Sequence, residues 1–257
     1  MKAMIFAAGL GTRLKPLTDT MPKALVPVCG RPLLWHVISR LKAAGIDDIT
    51  VNVHHFADQV ISYIDSMNDP DISVHISDER GLLLETGGGI RHAERFLASA
   101  GEPDVASSGS FLVHNVDILS DLDIRWFMAQ ERRGALATLL VSERRTNRYL
   151  LFDDDMRLAG WTNTATGEVR SPYPGLDVSS CRRLAFSGIH IISERVFPLF
   201  ASEGFGERFP IMDFYLKVAG RYPVYGVMAG NLHLMDVGKP ESLAEAERFL
   251  DFLADCQ

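Results

Sequence analysis

The feature that most limits how this chain can fold lies at its start. Met4, Ile5, Phe6, Ala7 and Ala8 run directly into Gly9-Leu10-Gly11-Thr12-Arg13. An apolar run that meets glycines predicts a buried strand ending at a tight turn. Glycine lets backbone N–H groups approach a ligand closely. Arg13 and, further on, Lys23 add fixed positive charges of the kind that pair with phosphate oxygens. These residues together imply a loop that wraps a nucleoside triphosphate, with Gly9, Gly11 and Thr12 as backbone donors. The dinucleotide pattern Gly-x-Gly-x-x-Gly is not met, because Leu14 occupies its third position. The P-loop pattern is absent as well. On the loop alone, a strand turn with incidental glycines is the competing reading.

The first half continues as alternating strands and helices. Leu33, Val37, Ile38 and Leu41 share a helical face between Pro32 and Gly45. Ile49, Val51 and Val53 alternate as in a half-buried strand. Val60, Ile61 and Ile64 return to helical spacing, and Val74 and Ile76 mark another strand. Gly87-Gly88-Gly89 reads as a second glycine loop before a helix carrying Ile90, Ala93 and Leu97. Phe111-Leu112-Val113 is a buried strand. This order predicts an α/β fold with a mainly parallel sheet covered on both faces. Ligands on such sheets sit at the carboxyl ends of the strands.

Beyond about residue 131 the pattern changes. Ala137 to Val141 is a strand. Tyr149 to Phe152 and Met156 to Trp161 form a hairpin around Asp153-Asp154-Asp155. Residues 162–182 read as a loop insertion. Phe186 to Ile192 is a strand and Val196 to Phe200 a short helix. Leu243, Ala246, Phe249, Leu250 and Leu253 make an amphipathic C-terminal helix. No Pro/Gly linker divides the 257 residues, so the expectation is one domain. Its lobes would be 1–130 for nucleotide, 131–235 for sugar phosphate, and 236–257 for a metal-site strand end and the last helix.

A net charge of −7 argues against non-specific nucleic-acid binding. No apolar run reaches membrane-spanning length. Cys29, Cys181 and Cys256 have no pair spacing, which suggests reduced thiols in a cytoplasmic protein. Asp117 follows the Phe111–Val113 strand closely, and Asp236 ends the apolar segment His233-Leu234-Met235. Carboxylates at strand ends suit a hard cation such as Mg²⁺. An Asx turn or a helix cap uses aspartate in the same place.

The N-terminal stretch resembles the signature of the sugar-1-phosphate nucleotidyltransferases. Leu14, Pro16, Leu17, Thr18, Pro22, Lys23 and Leu25 fall where that family places them, as do Gly30 and Pro32. The resemblance implies a Rossmann-like three-layer α/β sandwich with a mixed, mainly parallel central sheet. It implies an enzyme that joins a sugar 1-phosphate to a nucleoside triphosphate and releases pyrophosphate. Arg13 and Lys23 would be catalytic, and Ala7, Ala8, Gly9, Gly11 and Thr12 would bind nucleotide with them. Thr86, Gly87 and Gly88 would lie against the base. Gly188, Ile189 and Asp213 would face the sugar. Asp117 and Asp236 would hold Mg²⁺ as cofactor. Three departures stand out: Val116 where the family carries glycine, Leu234 for tryptophan, and Lys239 for threonine.

The form Leu84-Glu85-Thr86-Gly87-Gly88-Gly89 is similar to the branch that uses UTP and N-acetylmuramate 1-phosphate in cell-wall recycling. GTP with mannose 1-phosphate is the second reading, and a cytidylyltransferase acting on choline phosphate the third. A nucleotide-sugar sensor without turnover is the alternative of another class. The expected partners are a nucleoside triphosphate and a sugar 1-phosphate, without nucleic acid or membrane, in a monomer or homodimer.

Overall fold

The computed structural model describes residues 1–99 and 109–255, with Cys256 and the side chain of Leu253 outside the described residues. In chain order it contains β1 (Lys2–Phe6), β2 (Pro27–Val28), β3 (Arg31–Pro32), α1 (Leu33–Ala43), β4 (Asp48–Val53), α2 (Ala57–Ser66), β5 (Ser73–Asp78), α3 (Glu85–His92), α4 (Glu94–Leu97) and β6 (Ser110–Asn115). There follow β7 (Ile118–Ser120), α5 (Ile124–Ala129), β8 (Ala137–Ser142), β9 (Arg148–Phe152), β10 (Leu158–Asn163), β11 (Glu168–Arg170), β12 (Arg182–Ser193), α6 (Val196–Ser202), α7 (Ile211–Val218), β13 (Val224–Met228), β14 (Leu234–Asp236) and α8 (Glu241–Asp255). The elements group into two compact units. One comprises Met1–Leu83, His114–Ile124 and Leu232–Gln257; the other comprises Leu84–Val113 and Arg125–Asn231.

In the first unit β1, β4 and β5 run parallel, with Met4 opposite Thr50 and Thr50 opposite His75. The half-buried alternation expected of β4 is not observed. Thr50 and Asn52 are as buried as Ile49, Val51 and Val53. β4 is a central parallel strand, and both of its faces are covered. α1 buries Leu33, Leu34, Val37, Ile38 and Leu41, follows Pro32 and is succeeded by Gly45 at φ 85°. β7 and β14 form a two-stranded antiparallel ribbon, with Leu234 opposite Ser120 and Asp236 opposite Ile118.

The second unit mixes directions, with β8 and β13 parallel and the other registered pairs antiparallel. The β9–β10 hairpin turns as expected at Asp153, whose Oδ1 accepts from the backbone N–H groups of Asp155 and Arg157. Residues 162–182 are more ordered than a loop insertion. Glu168 to Arg170 add a strand to β10, and Val178 to Ser180 form a 3-10 turn capped by Asp177. Phe200, Phe205, Phe209 and Phe214 pack around one another, with ring centroids 4.6–5.5 Å apart.

The second glycine loop is also corrected: Glu85 to His92 are helical, and Gly87, Gly88 and Gly89 lie buried inside α3. The reason is packing. A Cβ on Gly87 would sit 2.2 Å from the Phe209 ring, and one on Gly88 would sit 2.1 Å from the Glu207 carbonyl oxygen. The N–H groups of Gly87 and Gly88 both donate to the Phe209 carbonyl. Close tertiary contact here outweighs the poor helix propensity of glycine. No helix among the described residues is long and apolar enough to cross a membrane.

Candidate functional site

The site in the first unit begins where β1 stops. Ala7 and Ala8 are buried, whereas Gly9, Leu10, Thr12 and Arg13 are exposed. Thr12 to Leu14 close a 3-10 turn, and the Leu14 N–H donates to the Gly11 carbonyl at 2.8 Å. The same carbonyl accepts from the Thr18 hydroxyl at 2.8 Å. Leu14 is fully buried and anchors the loop from below. Gly11 is required twice. Its φ is +62°, and a Cβ would press to 2.8 Å from Thr18 Cγ2 and 3.2 Å from Lys23 Cβ. The residues expected to form a phosphate loop are therefore held as one rigid turn, with Arg13 projecting from it.

Lys23 opens another 3-10 turn after Pro22. Its side chain is 9% exposed and its ammonium pairs directly with Asp117 Oδ2. Asp117 sits in the turn between β6 and β7. Val116 makes that turn without positive φ, its N–H donating to the Phe6 carbonyl at 3.2 Å. Valine in place of glycine thus costs this backbone nothing. Asp236 arrives on the neighbouring strand of the ribbon, opposite Ile118, and the Val237 N–H donates to the Asp117 carbonyl at 2.8 Å. Gly238 packs between two charged groups. A Cβ there would lie 2.7 Å from Asp236 Oδ1 and 3.1 Å from Arg13 Nη2. One unit thus gathers Gly11, Arg13, Lys23, Asp117 and Asp236. Lys239 is exposed, and its backbone bonds with the Ser242 hydroxyl at the start of α8.

The remaining site candidates lie in the second unit. Thr86 directs its hydroxyl to the Ile211 N–H at 2.9 Å, so it caps the start of α7. Asp213 lies in the first turn of α7 and accepts from Arg170 at 2.8 Å. Gly188 takes φ 75° where β12 bulges against β8 between Phe186 and His190, with Ile189 buried beside it. His190 is 2% exposed between the rings of Phe186 and Tyr215, and burial pushes its pKa down to about 3. It is a neutral core histidine.

Three residues near the loop, Gly238, Asn52 and Glu79, carry contacts the sequence pattern did not single out. Asn52 Oδ1 accepts from the N–H groups of Ala7 and Ala8, and Asn52 Nδ2 donates to Glu79 Oε1. The available signal was an amide within the β-branched run Ile49-Thr50-Val51 and Val53, where a buried polar group needs a hydrogen-bonding partner.

Residues 2–149 match the nucleotidyl transferase family. The chain is 34% identical over 255 residues to an N-acetylmuramate alpha-1-phosphate uridylyltransferase of Caulobacter vibrioides, covering 95% of each. It is 42% identical over 124 residues to the protein of that description from Neisseria meningitidis serogroup B, about half of each chain. Among solved structures, a putative glucose-1-phosphate thymidylyltransferase from Bacillus anthracis superposes with a TM-score of 0.76 at 20% identity, over 97% of this chain and 94% of that one.

Proposed function

This chain belongs to the nucleotidyl transferase family, and on that premise we propose that it joins N-acetylmuramate 1-phosphate to UTP, releasing pyrophosphate and forming UDP-N-acetylmuramate. The gathering of Arg13, Lys23, Asp117 and Asp236 around the rigid Gly11 turn carries the reaction type. The substrates follow from the relative matched along the whole chain.

A phosphate oxygen of the sugar phosphate attacks the α-phosphorus of UTP. A new P–O bond forms there as the bond to the α,β-bridging oxygen breaks, and pyrophosphate leaves. Such a displacement needs positioning and charge neutralisation rather than a protein nucleophile. Arg13, exposed on the loop, holds the β- and γ-phosphates. Gly9, Gly11 and Thr12 offer backbone donors, and Ala7 and Ala8 fix where the loop begins. The Lys23 ammonium, buried beside the loop, neutralises charge that develops on the α-phosphate.

Asp117 and Asp236 fit Mg²⁺ in donor chemistry: two carboxylates, one in the turn just before β7 and one at the end of its partner strand β14, with Asp117 already paired to the Lys23 ammonium. Among the described residues no group of three or more His, Cys, Asp or Glu is placed to hold a metal ion, so phosphate and water would supply the other oxygens. Bound there, Mg²⁺ supplies Lewis-acid neutralisation of phosphate charge. A cytoplasmic location accords with the reaction's nucleotide substrate.

Pyrophosphate release tests the reading. UTP, GTP, CTP, dTTP and ATP are crossed against N-acetylmuramate, N-acetylglucosamine, glucose and mannose 1-phosphates, with Mg²⁺ or with EDTA. Turnover with UTP and N-acetylmuramate 1-phosphate, lost in EDTA, is expected. Turnover confined to GTP and mannose 1-phosphate would move the assignment to the guanylyl branch. Nucleotide binding with no turnover anywhere would make the protein a sensor.

A further inference from the structure

We propose that Asn52 and Glu79 form a positioning pair that sets the start of the phosphate loop, an inference that rests on the nucleotide reading above. Both side chains are buried, at 2% and 3% exposure. Asn52 stands opposite Phe6, the last residue of β1. Its Oδ1 accepts from Ala7 N at 2.8 Å and from Ala8 N at 3.2 Å. In an extended strand, successive N–H groups point to opposite sides. Two consecutive N–H groups aimed at one oxygen are incompatible with a continuing strand. The side chain therefore ends β1 and turns the chain toward Gly9.

Glu79 decides which way round the amide sits. Asn52 Nδ2 donates to Glu79 Oε1 at 2.7 Å. A carboxylate accepts only, so the NH₂ must face Glu79 and the carbonyl must face the loop. Glu79 is itself fixed at the end of β5. Its N–H donates to the Val53 carbonyl at 2.8 Å, and its carbonyl meets His54 Nδ1 at 2.7 Å. The order of command runs from Glu79 through Asn52 to the two N–H groups before Gly9. Neither Asn52 nor Glu79 is a catalytic residue, since each acts through the loop.

The polarity argument gives a specific test. Asn52→Asp sets one carboxylate against another. Asn52→Asp with Glu79→Gln reverses the donor and acceptor between the two side chains and removes that conflict, so the carboxylate oxygen facing Ala7 and Ala8 is again held in place. Asn52→Ala removes the acceptor with no charge conflict, so Glu79→Gln cannot rescue it. Full-length wild type, N52D, N52D/E79Q, N52A and N52A/E79Q are compared in two ways. One is steady-state kinetics with UTP, N-acetylmuramate 1-phosphate and Mg²⁺. The other is amide hydrogen exchange at Ala7 and Ala8.

N52D and N52A should lose about tenfold or more in kcat/KM for UTP, the scale of losing a hydrogen bond at a buried group. KM for the sugar phosphate should stay constant, and exchange at Ala7 and Ala8 should quicken. N52D/E79Q should recover both readouts and N52A/E79Q neither. A double variant no better than N52D, or N52D with wild-type protection, would overturn the inference. Wild type that binds no UTP by calorimetry would sink the nucleotide reading instead, while the exchange pattern would still decide whether the pair holds the loop.

Discussion

At the scale of single residues, the site depends on charges held close together in little water. Lys23 is buried against Asp117, and the two form an ion pair. Lys23→Ala removes a preorganised cation and should lower kcat by roughly 10²–10³-fold, the usual cost of one such donor. Pyrophosphate release with saturating UTP checks this, and near-normal turnover would remove Lys23 from the chemistry. Gly238→Ala is the subtler change. Its methyl would intrude 2.7 Å from Asp236 Oδ1 and 3.1 Å from Arg13 Nη2, so one of the two must move. A displaced charge of this kind should reduce kcat/KM by roughly tenfold to a hundredfold. Circular dichroism should show little change. Lys23 follows the glycine turn and the two aspartates close apolar segments, so all three could be named from the sequence, but position left Asp117 open to an Asx turn and only the family resemblance joined the aspartates as a pair. Asn52 could not be named, because a buried asparagine looks like any polar position on a half-exposed strand until its neighbours are known.

Among the elements, α3 shows where sequence reasoning met its limit. Three consecutive glycines argue for a loop, since each loses backbone entropy in a helix. Two of them, Gly87 and Gly88, have no room for a Cβ against the segment carrying Glu207 and Phe209. That constraint joins residues far apart in the chain, so no local window contains it. Gly88→Ala tests it directly. A Cβ 2.1 Å from a backbone oxygen cannot be relieved by a rotamer, and overpacking of this kind typically costs about 1–3 kcal/mol. A lowered thermal midpoint is expected, and an unchanged one would mean that α3 can shift freely. The regular elements were easier to read. In α1, Pro32, the apolar stripe from Leu33 to Leu41 and Gly45 all agreed. Strands such as β1 declared themselves by hydrophobicity alone. The short β11 had no such signal, because all three of its residues are exposed.

For the molecule as a whole, two buried histidines contribute to the response to acid. Burial pushes His114 down to about 4, with the nearby Arg40 guanidinium adding to the effect, and pushes His190 down to about 3. In the unfolded chain each takes a proton near the ordinary value of about 6.5. Below that value the unfolded state binds protons that the folded state refuses. Their contribution to stability is therefore complete above about pH 6.5 and declines as the pH falls toward the folded values, each histidine adding a slope of up to about 1.4 kcal/mol per pH unit. Thermal melts from pH 7.5 to pH 5 should show the decline. His190→Phe, which replaces a ring whose nitrogens have no partner among the described residues, should make it shallower. An unchanged slope would locate the acid sensitivity elsewhere.

The β7–β14 ribbon has a consequence for biosynthesis. Its first strand is made with residues 118–120, but its second arrives only after all of residues 125–231 have been polymerised. A nascent polypeptide that has not reached Leu234 owns the glycine turn, the lysine and one carboxylate, yet lacks the other half of the ribbon that delivers Asp236. The ribosome thus completes the intervening unit before the acidic pair can exist.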